Sequence, residues 1–262
     1  GYLSWEVVMS IDTRSDRPVY QQIADLLRDR IVRGGYPPGA KLPSETELVQ
    51  EYDVSRLTVR RALAVLVSEG RTESKRGMGV YVREVPPVLR MGNNRFSRAA
   101  RRAGKGALAA EAERLGLDWE AEVLELVTVA APIAVREVLG EERAVVKRRR
   151  MIVGGEPTQL ADSYLPESVA TAIKYDQGET APGGVYGLLE RHGHMISRFR
   201  ESITVRAATP EESVALGIQN AAPVAVLVRI AFDQDGRPVE YFDSVAVGDR
   251  HVYVYEFDAP DD

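Results

Sequence analysis

Arg56 and Arg60 stand four residues apart, with Thr58 between them, in the stretch SRLTVRRALAVL. A guanidinium can donate two parallel hydrogen bonds to guanine O6 and N7. Two arginines and a hydroxyl at the exposed start of a helix therefore suit reading of the DNA major groove. Alone, the pair would read as a solvated basic face. Its surroundings favour the first use: a short helix precedes it, and Lys75-Arg76-Gly77-Met78-Gly79 follows as a basic, glycine-rich tip. Cations there can neutralise phosphates while glycines let two backbones approach. A nucleotide-phosphate loop is the rival use of those glycines, but neither GxxxxGK[ST] nor GxGxxG occurs there.

A second basic run, Lys147-Arg148-Arg149-Arg150, lies in a β-type stretch. On a strand Arg148 and Arg150 share one face while Arg149 takes the other. Arginines turned inward need anions to offset desolvation, either a bound phosphate or carboxylate or protein groups such as Glu240 and Asp162. Phe96-Ser97-Arg98 is a third candidate. It sets a buried-type aromatic beside a hydroxyl and a cation, inside a run from Arg90 to Lys105 that holds six basic residues and no acidic one. The rest of that run suits DNA phosphates, an anionic ligand or a solvated linker equally. Catalysis finds little support: His192, His194 and His251 lack metal-ligand spacing, GxSxG is absent, and there is no cysteine nucleophile. No metal or cofactor is implied.

Helices and strands can be placed from periodicity. Tyr20, Ile23, Leu27 and Ile31 mark one face of a helix that Gly34-Gly35 stop, and Ser44-Glu45-Thr46-Glu47 matches a capping box before a short second helix. Ser55 caps a third helix, with Val59, Ala62, Leu63 and Leu66 facing one way, and two short strands flank the glycine tip. Val85-Pro86-Pro87-Val88 breaks the pattern. Beyond Trp119, strands are expected over 123–129, 144–153, 158–165, 196–207, 224–232, 238–247 and 252–257, with helices over 132–139, 167–174, 185–192 and 209–217. Hairpins with helices between them predict an antiparallel α+β domain.

The net charge of −5 looks wrong for a polyanion binder until it is divided. Residues 1–118 hold 20 basic and 15 acidic residues, whereas residues 119–262 hold 14 and 24. A basic front and an acidic back leave one end to face DNA. The chain has no cysteine, and no apolar run approaches the roughly 18–20 residues that span a bilayer. Both features fit a reducing cytoplasm.

The N-terminal pieces resemble the winged helix–turn–helix of GntR-type bacterial transcription regulators. Pro38-Gly39, Leu42-Pro43-Ser44-Glu45, Val54-Ser55-Arg56, Thr58-Val59-Arg60, Glu69-Gly70 and Gly77-x-Gly79 carry the likeness over about residues 18–83. The resemblance implies that Ser55, Arg56, Thr58, Arg60 and Gly77 contact operator DNA. Ser44 and Glu45 would approach its backbone, and Lys75 and Arg76 would hold phosphate. Residues 88–258 are similar to the chorismate-lyase-like UTRA effector domain of the HutC-like branch, through Arg95-Phe96-Ser97, Arg148 to Arg150, Gly155-Glu156-Pro157, Ser163-Tyr164-Leu165-Pro166 and Gly236 to Tyr241. That likeness implies an effector pocket lined by Phe96, Ser97, Arg98, Arg148, Arg150, Ser163, Tyr164 and Glu240. Two departures stand out. The hairpin before Pro157 is one residue short, which leaves open which of Arg148, Arg149 and Arg150 faces the pocket. Ala246 stands where some sugar-phosphate binders carry an aromatic.

The expected organisation is a winged helix–turn–helix over residues 12–84, a linker over 85–94 and a UTRA domain over 95–258. The expected protein is a cytoplasmic, homodimeric repressor and not an enzyme. It would bind double-stranded, palindromic operator DNA and answer to a small-molecule effector, an anion if the strand arginines face it. Two alternatives are a ligand-independent DNA-binding dimer and a lyase-like enzyme fused to a DNA-binding module.

Overall fold

The computed structural model describes residues 11–12, 14–75, 77–84, 88–91, 107–178 and 181–256. It divides into two compact units, residues 1–86 and 87–262.

In the first unit α1 (Val19–Val32), α2 (Glu45–Tyr52) and α3 (Arg56–Ser68) precede an antiparallel hairpin of β1 (Thr72–Lys75) and β2 (Gly79–Val82). Ile23, Leu27, Leu48, Val59, Leu66 and Val82 form its core, so each helix buries the stripe its periodicity predicts. The expected capping box is present. Ser44 Oγ accepts the Glu47 N–H at 3.2 Å, and the Glu47 carboxylate accepts the Ser44 N–H at 2.7 Å. Asp53 takes a left-handed turn (φ 50°), and Ser55 Oγ then accepts the Thr58 N–H at 3.1 Å to start α3. The hairpin is tied back to the connector after α1, because Leu42 N–H donates to Val80 O at 2.8 Å.

The second unit holds β3 (Val88–Met91), α4 (Ala107–Arg114), β4 (Trp119–Ala130), α5 (Ile133–Leu139), β5 (Arg143–Val153), β6 (Glu156–Pro166), α6 (Glu167–Ala172) and α7 (Gly184–Arg191). After these come β7 (Ile196–Ala207), α8 (Pro210–Leu216), β8 (Pro223–Asp233), β9 (Pro238–Val247) and β10 (His251–Val254). Six strands make one antiparallel sheet in the order β4-β5-β6-β9-β8-β7, and β3 pairs in parallel with β10. This is the expected antiparallel α+β architecture. Among the described residues no helix is long and apolar enough to cross a membrane.

The sheet has a front and a back. On the front, Val145 and Leu165 pack with Ala170 of α6 and with Tyr186, Leu188 and Leu189 of α7. Further along that face Met151, Ala161, Leu227 and Phe242 pack with Val88 of β3 and Ala112 of α4. On the back, Val146, Tyr164, Ile230 and Tyr241 pack with Val135 and Leu139 of α5. The stretch expected to be a bare linker differs: β3 lies within it, and Val88 is 1% exposed. Its Val-Leu-Arg-Met is too short for alternation to be visible, and only pairing with β10 makes it a strand. Helix α4 was not anticipated either.

Leu165 lies at the centre of the front core and is fully buried. Leu165→Ala should cost about 2–5 kcal/mol of stability, measured as a shift in the urea unfolding of the second unit.

Candidate functional site

In the first unit the capped start of α3 presents the candidate reading head. The Arg56 and Arg60 side chains are 60% and 63% exposed, so both are available to a partner. Each is meanwhile held by α2. Arg60 Nε lies 3.0 and 3.1 Å from the two Glu45 carboxylate oxygens, and Arg56 Nη2 donates to Thr46 Oγ1 at 3.2 Å. Thr58 Oγ1 and Ser55 Oγ are 2.8 Å apart, which binds these two expected contacts into the cap itself. At the hairpin tip, Lys75 Nζ sits 2.9 Å from Glu73 and 4.7 Å from the Tyr81 ring centroid. Gly77 (φ +74°) makes the turn, where an L side chain would be strained. Ser44, Glu45, Ser55, Arg56, Thr58, Arg60, Lys75 and Gly77 thus fall on the α2 and α3 starts and the hairpin tip. Arg76 lies outside the described residues.

The residues expected to line an effector pocket do not form one cluster. Phe96, Ser97 and Arg98 lie outside the described residues. Of the rest, Arg148, Arg150 and Tyr164 are on the back of the sheet, whereas Ser163 and Glu240 are on the front. Strand alternation is the cause. Arg148 pairs with Glu125 and, at 3.2 Å, with Asp162, and Arg150 lies 2.7 Å from Glu122. Tyr164 joins them by donating to Asp162 at 3.4 Å. Asp162 stands directly opposite Asp243, and both carboxyls are held above their ordinary range, chiefly by burial.

The other half of the basic run faces front. Register puts Lys147, Ser163, Phe242, Arg229 and Glu201 in a single row across five strands. Arg149 lies in the next row, opposite Ala161. Glu240, 1% exposed, is the anchor: its carboxylate accepts from the Ser163 and Tyr186 hydroxyls. Tyr186 in turn accepts from Arg229 Nε at 2.8 Å, and Arg229 stacks over Phe242 with 4.4 Å to the ring centroid. Burial pushes the Tyr186 hydroxyl well above its ordinary value, so it stays a donor to Glu240.

Lys147 and Arg149 are different. Neither has a carboxylate partner among the described residues, and Arg149 Nε is buried with no hydrogen-bond acceptor. Burial, and then the Arg149 charge, draw the Lys147 ammonium below its ordinary value. Tyr186 and Arg229 are the members of this site that motif reasoning passed over; Lys147 and Arg149 belong to the basic run whose inward-facing member the sequence left open. One signal was available for Arg229: a cation between apolar residues in VLVRIAF has no reason to be buried unless it is paired. Among the described residues no group of three metal-ligating side chains exists.

Helix α7 delivers Tyr186 by an unusually close approach. A Cβ on Gly187 would lie 2.0 Å from Pro182 O, so only glycine lets the helix sit there.

Two family descriptions match, and they match different units. Residues 19–82 match "Bacterial regulatory proteins, gntR family" and residues 114–252 match "UTRA domain". The chain is 28% identical over 252 residues to the HTH-type transcriptional repressor NagR of Bacillus subtilis, covering 95% of this chain and 99% of that one. It is 30% identical over 230 residues to the HTH-type transcriptional regulator Rv0792c of Mycobacterium tuberculosis, covering 87% and 81%. In fold it resembles the crystal structure of PhnF from Mycobacterium smegmatis, with TM-score 0.59, 23% identity and coverage of 91% and 100%. A capped helix start followed by a hairpin, an antiparallel sheet in the second unit, and matches running through both units lead to one statement: the chain belongs to the GntR family of bacterial transcription regulators, in the group that carries a UTRA domain.

Proposed function

We propose that this regulator is a homodimeric repressor that reads a palindromic operator and is controlled by an anionic small molecule seated on the front of the UTRA sheet. One observation carries the effector half: Lys147 and Arg149 are neighbouring, half-buried cations without carboxylate partners among the described residues, beside the polar wall of Ser163, Glu240, Tyr186 and Arg229. Cations so placed are stabilised by a bound phosphate or carboxylate. Arg148 and Arg150 already have carboxylates and act in the sheet. Arg149 therefore replaces them in the effector set, Ser163 and Glu240 remain in it, and Tyr164 goes with Arg148. Phe96, Ser97 and Arg98 stay as proposed contributors.

Arg56 and Arg60 read bases while Lys75, Arg76 and Gly77 hold phosphate and groove. Residues 1–83 carry 13 basic and 11 acidic residues, a small surplus for a polyanion binder. One head therefore binds weakly, and two heads related by a two-fold axis suit a palindrome. The effector must bind the operator-competent and incompetent states unequally in order to switch them. The name of NagR as a repressor supports the sign of the response.

Three outcomes are expected. Arg56→Ala and Arg60→Ala each weaken operator binding roughly 10-fold or more at physiological salt, read by footprinting on the chain's own promoter region. Wild-type affinity in both would remove the reading head from α3. Glu45→Gln removes the carboxylate charge that holds Arg60 and raises affinity for nonspecific duplex DNA by roughly 2- to 5-fold at low salt. In a thermal-shift and operator-release screen of acidic metabolites, Arg149→Met loses the response and keeps operator binding, whereas Arg148→Met keeps both. The reverse pattern would return the effector to the back of the sheet.

A further inference from the structure

The six-stranded sheet is open, with β4 at one edge and β7 at the other, and among the described residues no further strand pairs with either. An edge presents backbone N–H and C=O groups that a strand of another chain takes up unless something blunts it. The two edges differ in this respect. Edge β4 carries Glu120, Glu122 and Glu125, and its ladder with β5 is broken by a bulge between Val123 and Glu125. Its exposed apolar residues, Val123 and Leu124, sit at that bulge. Charged side chains and a bulge are both devices that discourage a partner strand.

Edge β7 has its bulge at the far end, between Ile196 and Arg198. From Ser202 to Ala207 its register with β8 is unbroken, and every residue is exposed whichever face it takes. Ile203, Thr204 and Val205 are uncharged and β-branched, the side chains that favour a strand. Ile203 stands beside Leu227 and Val205 beside Ala225, so both face front, where they are 36% and 73% exposed. Arg206, the charged residue of this stretch, is paired with Glu212 of α8 at 2.7 Å.

The stretch is also complementary to itself. In an antiparallel pair with a two-fold axis at Thr204, Ile203 meets the partner's Val205, Ser202 meets the partner's Arg206 and Glu201 meets the partner's Ala207. No like charges stand opposite each other. An axis at Ile203 would set Arg200 against Arg206, one at Ser202 would set Arg198 against Arg206, and one at Val205 would leave only residues 203–207 of β7 paired.

We propose that β7 is the subunit interface, pairing with β7 of a second copy about a two-fold axis at Thr204 and joining the two sheets into one. Ile203 and Val205 of both copies then form an apolar cluster on the front, and the blunted β4 edges lie at the outer ends. Such a contact uses the same strand on both chains, so it closes at the dimer. This rests on the homodimer reading and names its contact surface.

The test is analytical ultracentrifugation of the full chain. The wild type should be a dimer, and Ile203→Lys and Val205→Glu should each weaken it roughly 10-fold or more, since each sets a charge against an apolar side chain at two symmetric places. Mixed in equal amounts, the two variants should dimerise at concentrations where each alone is monomeric. The mixed dimer places the introduced ammonium opposite the introduced carboxylate and keeps one Ile203–Val205 contact intact. Val123→Lys, on the other edge, should leave the dimer unchanged. Because these positions are exposed, each variant chain should keep the wild-type circular dichroism. Dimers of wild-type strength in both β7 variants, a mixture no tighter than its parts, or loss of the dimer in Val123→Lys alone would overturn the β7 interface and leave the homodimer standing. A wild type that stays monomeric at micromolar concentration would overturn both.

Discussion

A β-strand turns successive side chains to opposite faces, and β5, one strand in from the β4 edge of the sheet, carries four consecutive cations. Everything in the second unit is arranged around that constraint. Two of the cations must go to each face, and the two faces treat them differently. The back supplies Glu122, Glu125 and Asp162 from the neighbouring strands, so Arg148 and Arg150 become cross-strand ion pairs. The front spends its own carboxylates elsewhere, Glu240 on two hydroxyls and Glu201 on Arg229 and Tyr255. Lys147 and Arg149 are left without a carboxylate partner among the described residues, which is where the proposed anion would fit.

The two units handle competition for a ligand in different ways. Arg60 of α3 has a partner in Glu45, but the pair is exposed, and exposed ion pairs are worth only about 0–1 kcal/mol. Under the proposed DNA reading, phosphates or bases would displace it easily. Lys147 faces the Tyr175 ring at 5.9 Å, and neither it nor Arg149 has a carboxylate partner among the described residues, so an anion bound there as proposed would meet no competing carboxylate. On the proposed reading, the DNA end would be reversible through a weak substitute, whereas the effector end would meet no competing carboxylate.

Much of the fold was legible in the sequence because it rests on local rules. Ser44 and Glu47 form the expected capping box, and Ile196–Ala207 is a strand over the predicted residues. The expected helix up to Gly217 starts at a Thr209 cap. What escaped was non-local. β3 exists because it pairs with β10, more than 150 residues later in the chain, and four residues carry too little pattern to announce that. The site was half legible. Alternation gave the split of Arg148 and Arg150 from Arg149, but not which side was front, because that depends on which helices pack where. The Glu240 cluster draws on β6, α7, β8 and β9, and no single stretch of sequence holds it.

Gly187 bears on how such regulators diverge. The depth of α7 is set by the absence of one carbon, and that depth decides whether the Tyr186 hydroxyl reaches Glu240. A relative with any side chain at this position must carry the helix further from Pro182, and its tyrosine with it. If the front face takes the effector as proposed, ligand choice among such regulators would drift through a residue that touches no ligand. Comparing pocket-lining residues alone would then group together proteins whose pockets have different depths.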